Sequence, residues 1–139
     1  MADAVRDVMM SDLWTIDARS NLEAAAVIMR DNDIGDVLVT QNDQLRGILT
    51  DRDIVIRAIA AGRHPAGTAV GEVASPALQT VGADDTPERA AEIMREFALR
   101  RLPVLEDDRI VGIVSIGDLA QVEEPKSALA EISAAPPNV

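Results

Sequence analysis

Two stretches decide how this chain folds: Gly47-Ile48-Leu49-Thr50-Asp51-Arg52-Asp53 and Gly112-Ile113-Val114-Ser115-Ile116-Gly117-Asp118. Each reads as a glycine, two aliphatic residues, a hydroxyl residue and, three positions later, an aspartate. They stand 65 residues apart, and that offset holds outward from them: positions 5–55 align with 70–120 without a gap. Val5–Met9 (VRDVM) lies over Val70–Ala74 (VGEVA), and Thr15-Ile16 lies over Thr80-Val81. Glu23–Arg30 (EAAAVIMR) matches Glu88–Arg95 (ERAAEIMR). A duplication held in one register over this length fixes the architecture more firmly than any single motif.

Each copy yields the same elements. A helix is expected to begin near Ser20 in one copy and near Asp85 in the other, each followed three residues later by a glutamate, the spacing of a capping box. Leu22, Ala25, Ala26, Ile28 and Met29 form an apolar stripe at helical spacing. Two short strands follow, Val37–Thr40 and Leu45–Leu49, joined by the polar turn Gln41–Gln44; their counterparts are Leu102–Leu105 and Ile110–Val114. A second helix starts at Thr50 and stops at Gly62, and its equivalent starts at Ser115.

The fold class is therefore α/β (α+β), two β-α-β-β-α repeats packed sheet to sheet about a pseudo-two-fold axis. One layer this small leaves too much apolar surface exposed to stand alone. The expected division is repeat 1 over 1–62, a Pro/Gly/Ala-rich linker over 63–69, repeat 2 over 70–122 and a C-terminal tail over 123–139, with a short helix after Lys126 and a frayed end.

Composition narrows the function. Trp14 and Phe97 are the only aromatics, so the core is aliphatic. A net charge of −11 opposes general nucleic-acid binding, which needs a basic face to displace counterions, and equally opposes anionic membranes. With no cysteine there is no disulfide, thiol nucleophile or thiolate metal site. The start MADAVRDVMM lacks an apolar leader core and no apolar run approaches a membrane span, so a cytoplasmic protein is expected. Nucleophile elbow, Walker loop and histidine metal set are all missing, and no enzyme is expected.

The two signatures, together with Arg100-Arg101-Leu102-Pro103-Val104 and its less typical partner Gly35-Asp36-Val37-Leu38-Val39, resemble the tandem cystathionine-β-synthase (CBS) domain pair, or Bateman module. The resemblance spans about positions 5–120. It implies clefts between the repeats that bind AMP, ADP or ATP, with no resident cofactor. It implies that Asp53 and Asp118 accept the ribose hydroxyls and that Thr50 and Ser115 sit near the phosphate. Val37 and Pro103 at the strand entries, with Thr15 and Thr80, complete the implied ligand set. Arg52, Arg57, Arg63, Arg100 and Arg101 are candidate phosphate partners, Arg101 first because it immediately precedes the Leu102-Pro103-Val104 strand entry. It further implies a homodimer through the CBS helices and an effector protein reached in trans. A carboxylate accepts both hydroxyls of a cis-diol, and a helix start offers free N–H groups to a phosphate.

Plainer readings stand beside these. Thr50-x-x-Asp53 and Ser115-x-x-Asp118 also fit a helix cap that needs no ligand. Arg57, one turn beyond Asp53, fits a simple pair with it. Trp14 fits a loop anchor, His64 a solvated linker residue, and Met9, Met10, Met29 and Met94 core filling. Two other functions remain in view, a ligand-free dimeric scaffold and a module for another adenosyl ligand such as S-adenosylmethionine. Because Asp51 stands where the second motif has Ile116, and Leu38 where it has Pro103, the Asp118 site is expected to bind nucleotide more tightly.

Overall fold

The computed structural model describes residues 3–77 and 79–123, together with Ile132 and Ala135. The chain forms two compact units, one of Leu13–Leu78 and the other of Met1–Asp12 with Gln79–Val139. The first contains β1 (Thr15–Asp17), α1 (Leu22–Asn32), β2 (Asp36–Gln41), β3 (Gln44–Thr50), α2 (Asp51–Asp53) and β4 (Ser75–Pro76). The second contains β5 (Val81–Gly82), α3 (Pro87–Phe97), β6 (Arg101–Glu106), β7 (Arg109–Ser115) and α4 (Ile116–Glu123). The β-α-β-β-α order read from the sequence is present in both.

The first sheet runs β1-β2-β3-β4 and the second β5-β6-β7. In each, the first strand pairs in parallel with the next, which forms an antiparallel hairpin with its follower. Both hairpins turn on residues with positive φ, Asn42-Asp43 (53° and 62°) and Asp107-Asp108 (50° and 64°). Those angles belong to the tight turn whose twist matches that of the flanking strands, and Asn and Asp tolerate them best after glycine. The bulge after Val39 recurs after Val104.

The two cores obey the same offset. Ile16, Ala18, Ala25, Met29, Val37, Val39 and Leu49 are buried in one unit, and Val81, Ala83, Ala90, Met94, Leu102, Val104 and Val114 in the other. What completes each core comes from elsewhere in the chain. Val5, fully buried on the turn Val5–Asp7, packs in the second core, while its repeat equivalent Val70 packs in the first. Backbone bonds fix the exchange: Val5 N donates to Asp85 O (2.8 Å), and Val70 N donates to Ser20 O (2.7 Å). Met10 then bridges to Ile113 as β4 pairs with β3 through Ser75 and Ile48. Sequence repeat and compact unit are thus different stretches of chain.

Both entering turns close with an acidic side chain on the backbone. Glu72 accepts from Ala69 N (2.9 Å) and Arg63 (2.9 Å), which together hold its carboxyl below the ordinary range. Asp7 accepts from Ala4 N (3.2 Å). Beside it Arg6 pairs with Asp84 (2.7 Å) and Glu106 (3.2 Å), and these bonds hold its guanidinium charged even more firmly than usual.

Two local expectations need correction. The caps of α1 and α3 are Asn21 and Thr86, accepting from Ala24 N (2.9 Å) and Arg89 N (3.1 Å), one residue beyond Ser20 and Asp85. Asp85 instead accepts from Gly82 N (2.8 Å), closing the turn before the cap. The helix expected from Thr50 to about Ala61 does start at Thr50, but after Asp53 it widens into a π-helix over Ile54–Ile59 and ends there, short of Gly62, which turns the chain at φ 76°. The short helix expected after Lys126 lies outside the described residues except for Ile132 and Ala135.

Candidate functional site

Both signature stretches form the same reciprocal cap where a strand passes into a helix. Thr50 Oγ1 accepts from Asp53 N (3.0 Å) while Asp53 Oδ2 accepts from Thr50 N (3.0 Å). Ser115 Oγ accepts from Asp118 N (3.1 Å) while Asp118 Oδ2 accepts from Ser115 N (2.8 Å). The glycine that opens each stretch lets another strand approach. A Cβ on Gly47 would strike Ser75 O, and one on Gly112 would strike Met9 Sδ and stand 2.8 Å from Met10 O. The capping reading is therefore realised at both copies. It also fixes each aspartate rotamer, occupying one carboxylate oxygen and leaving Oδ1 to other partners.

The copies differ in what meets Oδ1. At Asp53, with 14% side-chain exposure, Arg57 Nε lies 3.9 Å from Oδ1, and the same guanidinium donates to Val73 O (3.2 Å). Arg57 thus ties the motif aspartate to the turn that leads into β4. At Asp118 the equivalent helix position is Val122, which has no charge to offer the aspartate. The link to Val73 was not foreseen, since nothing in the sequence signals a π-turn; only the Asp53-to-Arg57 spacing pointed toward it.

The remaining candidates fall as follows. Arg101 opens β6 directly opposite Ser115, and Pro103 is fully buried opposite Ile113. Val37 is 1% exposed in the core opposite Leu49, so its side chain shapes the strand rather than meeting solvent. Thr15, exposed, pairs with Leu38 on β1, and Thr80, half-buried, precedes β5. The structure thus brings Thr50, Asp53 and Arg57 together in one unit, and Ser115, Asp118 and Arg101 in the other. Trp14 is 44% exposed and its carbonyl accepts from Leu38 N (3.0 Å). His64 Nδ1 accepts from Ala66 N (3.2 Å), capping the turn Pro65–Gly67. Arg63 is taken up by Glu72.

At the glycine end of the first motif, the first unit has a cavity of about 110 Å3 lined by Val39, Arg46, Gly47, Gly71, Ala74, Ser75 and Pro76.

The family model of the CBS domain matches this chain twice, over 5–59 and 70–124. The chain belongs to the CBS-domain family. This CBS pair is 38% identical over 117 residues to hypoxic response protein 1 of Mycobacterium tuberculosis, covering 84% of this chain and 82% of that one. It is 36% identical over 134 residues to the CBS domain-containing protein YhcV of Bacillus subtilis, covering 94% and 95%. Among solved structures it superposes on hypoxic response protein I with two coordinated zinc ions at a TM-score of 0.76, covering 85% of this chain and 97% of that one at 38% identity. Tandem CBS domains are in general regulatory ligand-binding modules.

The pair has no cysteine and one histidine, whose Nδ1 already caps a turn. Among the described residues no three His, Cys, Asp or Glu side chains converge as metal ligands. Nor is any helix among them long and apolar enough to cross a membrane.

Proposed function

We propose that this CBS pair is a non-catalytic regulatory module that binds an adenosine nucleotide, AMP, ADP or ATP, and signals in trans to an effector protein in the cytoplasm. One observation carries the reading: both motif aspartates are held in one rotamer by reciprocal caps through Oδ2, each beside a hydroxyl residue at a helix start. A carboxylate held in one rotamer by the backbone meets a ribose diol with little ordering cost, and the helix start favours the phosphate. Ligand-linked signalling further requires that the nucleotide bind one arrangement of the pair better than another.

Thermal unfolding with AMP, ADP and ATP tests this. A nucleotide at about 100 times its dissociation constant adds roughly 2.7 kcal/mol, a rise of several degrees. Asp118→Ala should abolish the shift at the tighter site; an undiminished shift in that variant, or none in the parent, rejects the reading.

A second reading, a ligand-free dimeric scaffold, draws on Val55, Ile56 and Ile59 of the π-helical stretch, which are 55%, 51% and 52% exposed. Three large aliphatic side chains on one short stretch suit a homodimer contact. Sedimentation of wild type against Ile56→Glu, with and without nucleotide, separates the two: a dimer unaffected by nucleotides that never bind favours the scaffold.

A further inference from the structure

We infer that the two motifs take adenosyl ligands of opposite charge class: the Asp118 motif a phosphorylated, anionic ligand, and the Asp53 motif an uncharged or cationic one. The inference rests on the nucleotide reading above and assigns a ligand class to each of its two halves.

The two motifs share one backbone bond. Asp51 N donates to Gly35 O (2.9 Å), and Ile116 N donates to Arg100 O (2.9 Å). Each bond fastens the first residue of a motif helix to the residue before a strand entry, so the two side chains of each pair share one place. In the first unit that place holds glycine and a carboxylate. The Asp51 carboxylate lies over the glycine: a Cβ on Gly35 would stand 3.3 Å from Asp51 Oδ2. The second unit has Arg100 and Ile116 at the two matching positions.

The next rung repeats the reversal. Thr50 faces Asp36 across the β2–β3 ladder, whereas Ser115 faces Arg101 across β6–β7. Along the helices Arg57 sits 3.9 Å from Asp53 Oδ1, where the second unit has Val122. Counting strand entry and helix together, the first motif carries Asp36, Asp51 and Asp53 against Arg52 and Arg57. The second carries Asp118 and, at the far end of its helix, Glu123 against Arg100 and Arg101.

A phosphate brought to the hydroxyl end of the first motif meets the Asp51 carboxylate, and like charges at such range raise the cost of binding. At the second motif the same phosphate meets guanidiniums, which suit its oxygens in geometry as well as charge. A neutral adenosine or a sulfonium-bearing adenosyl group reverses the preference. The ribose contact is common to both motifs, and the charge beside it sets the class.

Calorimetric titration of the full chain with AMP, adenosine and S-adenosylmethionine, on wild type, Asp53→Ala and Asp118→Ala, tests the assignment. AMP binding should fall at least about tenfold in Asp118→Ala, stay nearly unchanged in Asp53→Ala, and weaken with added salt. Adenosine or S-adenosylmethionine binding should show the opposite dependence on the two variants and little loss with salt. Should loss of a cap unfold either variant, Gly35→Arg with Asp51→Ile carries the test, because it installs the second unit's pair in the first. That double variant should gain a second AMP site. AMP binding removed by Asp53→Ala, or reduced equally by both alanines, or a double variant with no added AMP site, overturns the assignment while leaving nucleotide binding intact. No binding of any of the three ligands by wild type overturns the nucleotide reading itself.

Discussion

Replacing Ala74 by methionine should stabilise the first unit, and the second unit supplies the template. Ala74 is the repeat equivalent of Met9, whose Sδ lies where a Cβ of Gly112 would stand. The corresponding place in the first unit, at Gly47, is the cavity of about 110 Å3 that Ala74 lines. Because this hollow opens to solvent, the gain comes from apolar surface covered, and at roughly 0.8 kcal/mol per buried methylene three added heavy atoms are worth at most about 2.4 kcal/mol. Three added heavy atoms fill only part of the space, and ordering a methionine side chain costs about 1.5–2 kcal/mol at full burial. A net gain of roughly 0.5–1 kcal/mol remains, or about 2–4 °C in a chain of this size. Calorimetry with urea unfolding reads it, the midpoint rising and the m-value holding. The converse change, Met9→Ala, should open the matching hollow over Gly112 and cost about 2 kcal/mol. If Ala74→Met lowers the midpoint while Met9→Ala leaves it untouched, the two places are not equivalent and the register argument fails.

Three further outcomes follow from the same packing. Gly47→Ala, whose Cβ would strike the backbone oxygen of Ser75, should detach β4 from β3 and cost about 1–3 kcal/mol, read by chemical unfolding. Glu72→Gln should flatten the acid limb of the stability profile: a carboxyl held below its unfolded value of about 4.3 stabilises above that pH and loses the contribution as pH falls through the depressed value. A parent and variant with parallel profiles from pH 6 to about pH 3 would contradict this. Arg6→Ala should lower the melting temperature slightly at low ionic strength and not at about 1 M salt, because its partners Asp84 and Glu106 are surface carboxylates.

What the sequence revealed and what it withheld divide along physical lines. The caps at Thr50–Asp53 and Ser115–Asp118 were legible because a hydroxyl and a carboxylate three apart after a strand have one local solution, and both are formed. The caps of α1 and α3 were misplaced by one residue because Ser20-Asn21 and Asp85-Thr86 each offer two competent capping side chains, and only the preceding turn selects between them. The π-helix at Ile54–Ile59 has no residue that announces it; Gly62 marks only the turn that follows. The exchange of entering turns was hidden by the duplication itself. Val5 and Val70 occupy equivalent positions, so either valine satisfies either core's hydrophobic pattern, and the pattern cannot say which goes where. The charge difference between the motifs, by contrast, stood in plain view as Asp51 against Ile116.

That exchange bears on how the gene can be cut. Scissors placed in the linker after Gly62 would yield a first half without Val70 and Val73, leaving the hollow they fill open beside Ile16 and Leu22. A fragment of Leu13–Leu78 keeps every side chain of that core on one piece. The other unit becomes a continuous polypeptide only by circular permutation, with the old C-terminus joined through a spacer to residues 1–12. In a single copy that kept this exchange, the missing valine would come from a neighbouring molecule. Tandem duplication made that partner part of the same chain, turning a concentration-dependent encounter into a tethered one.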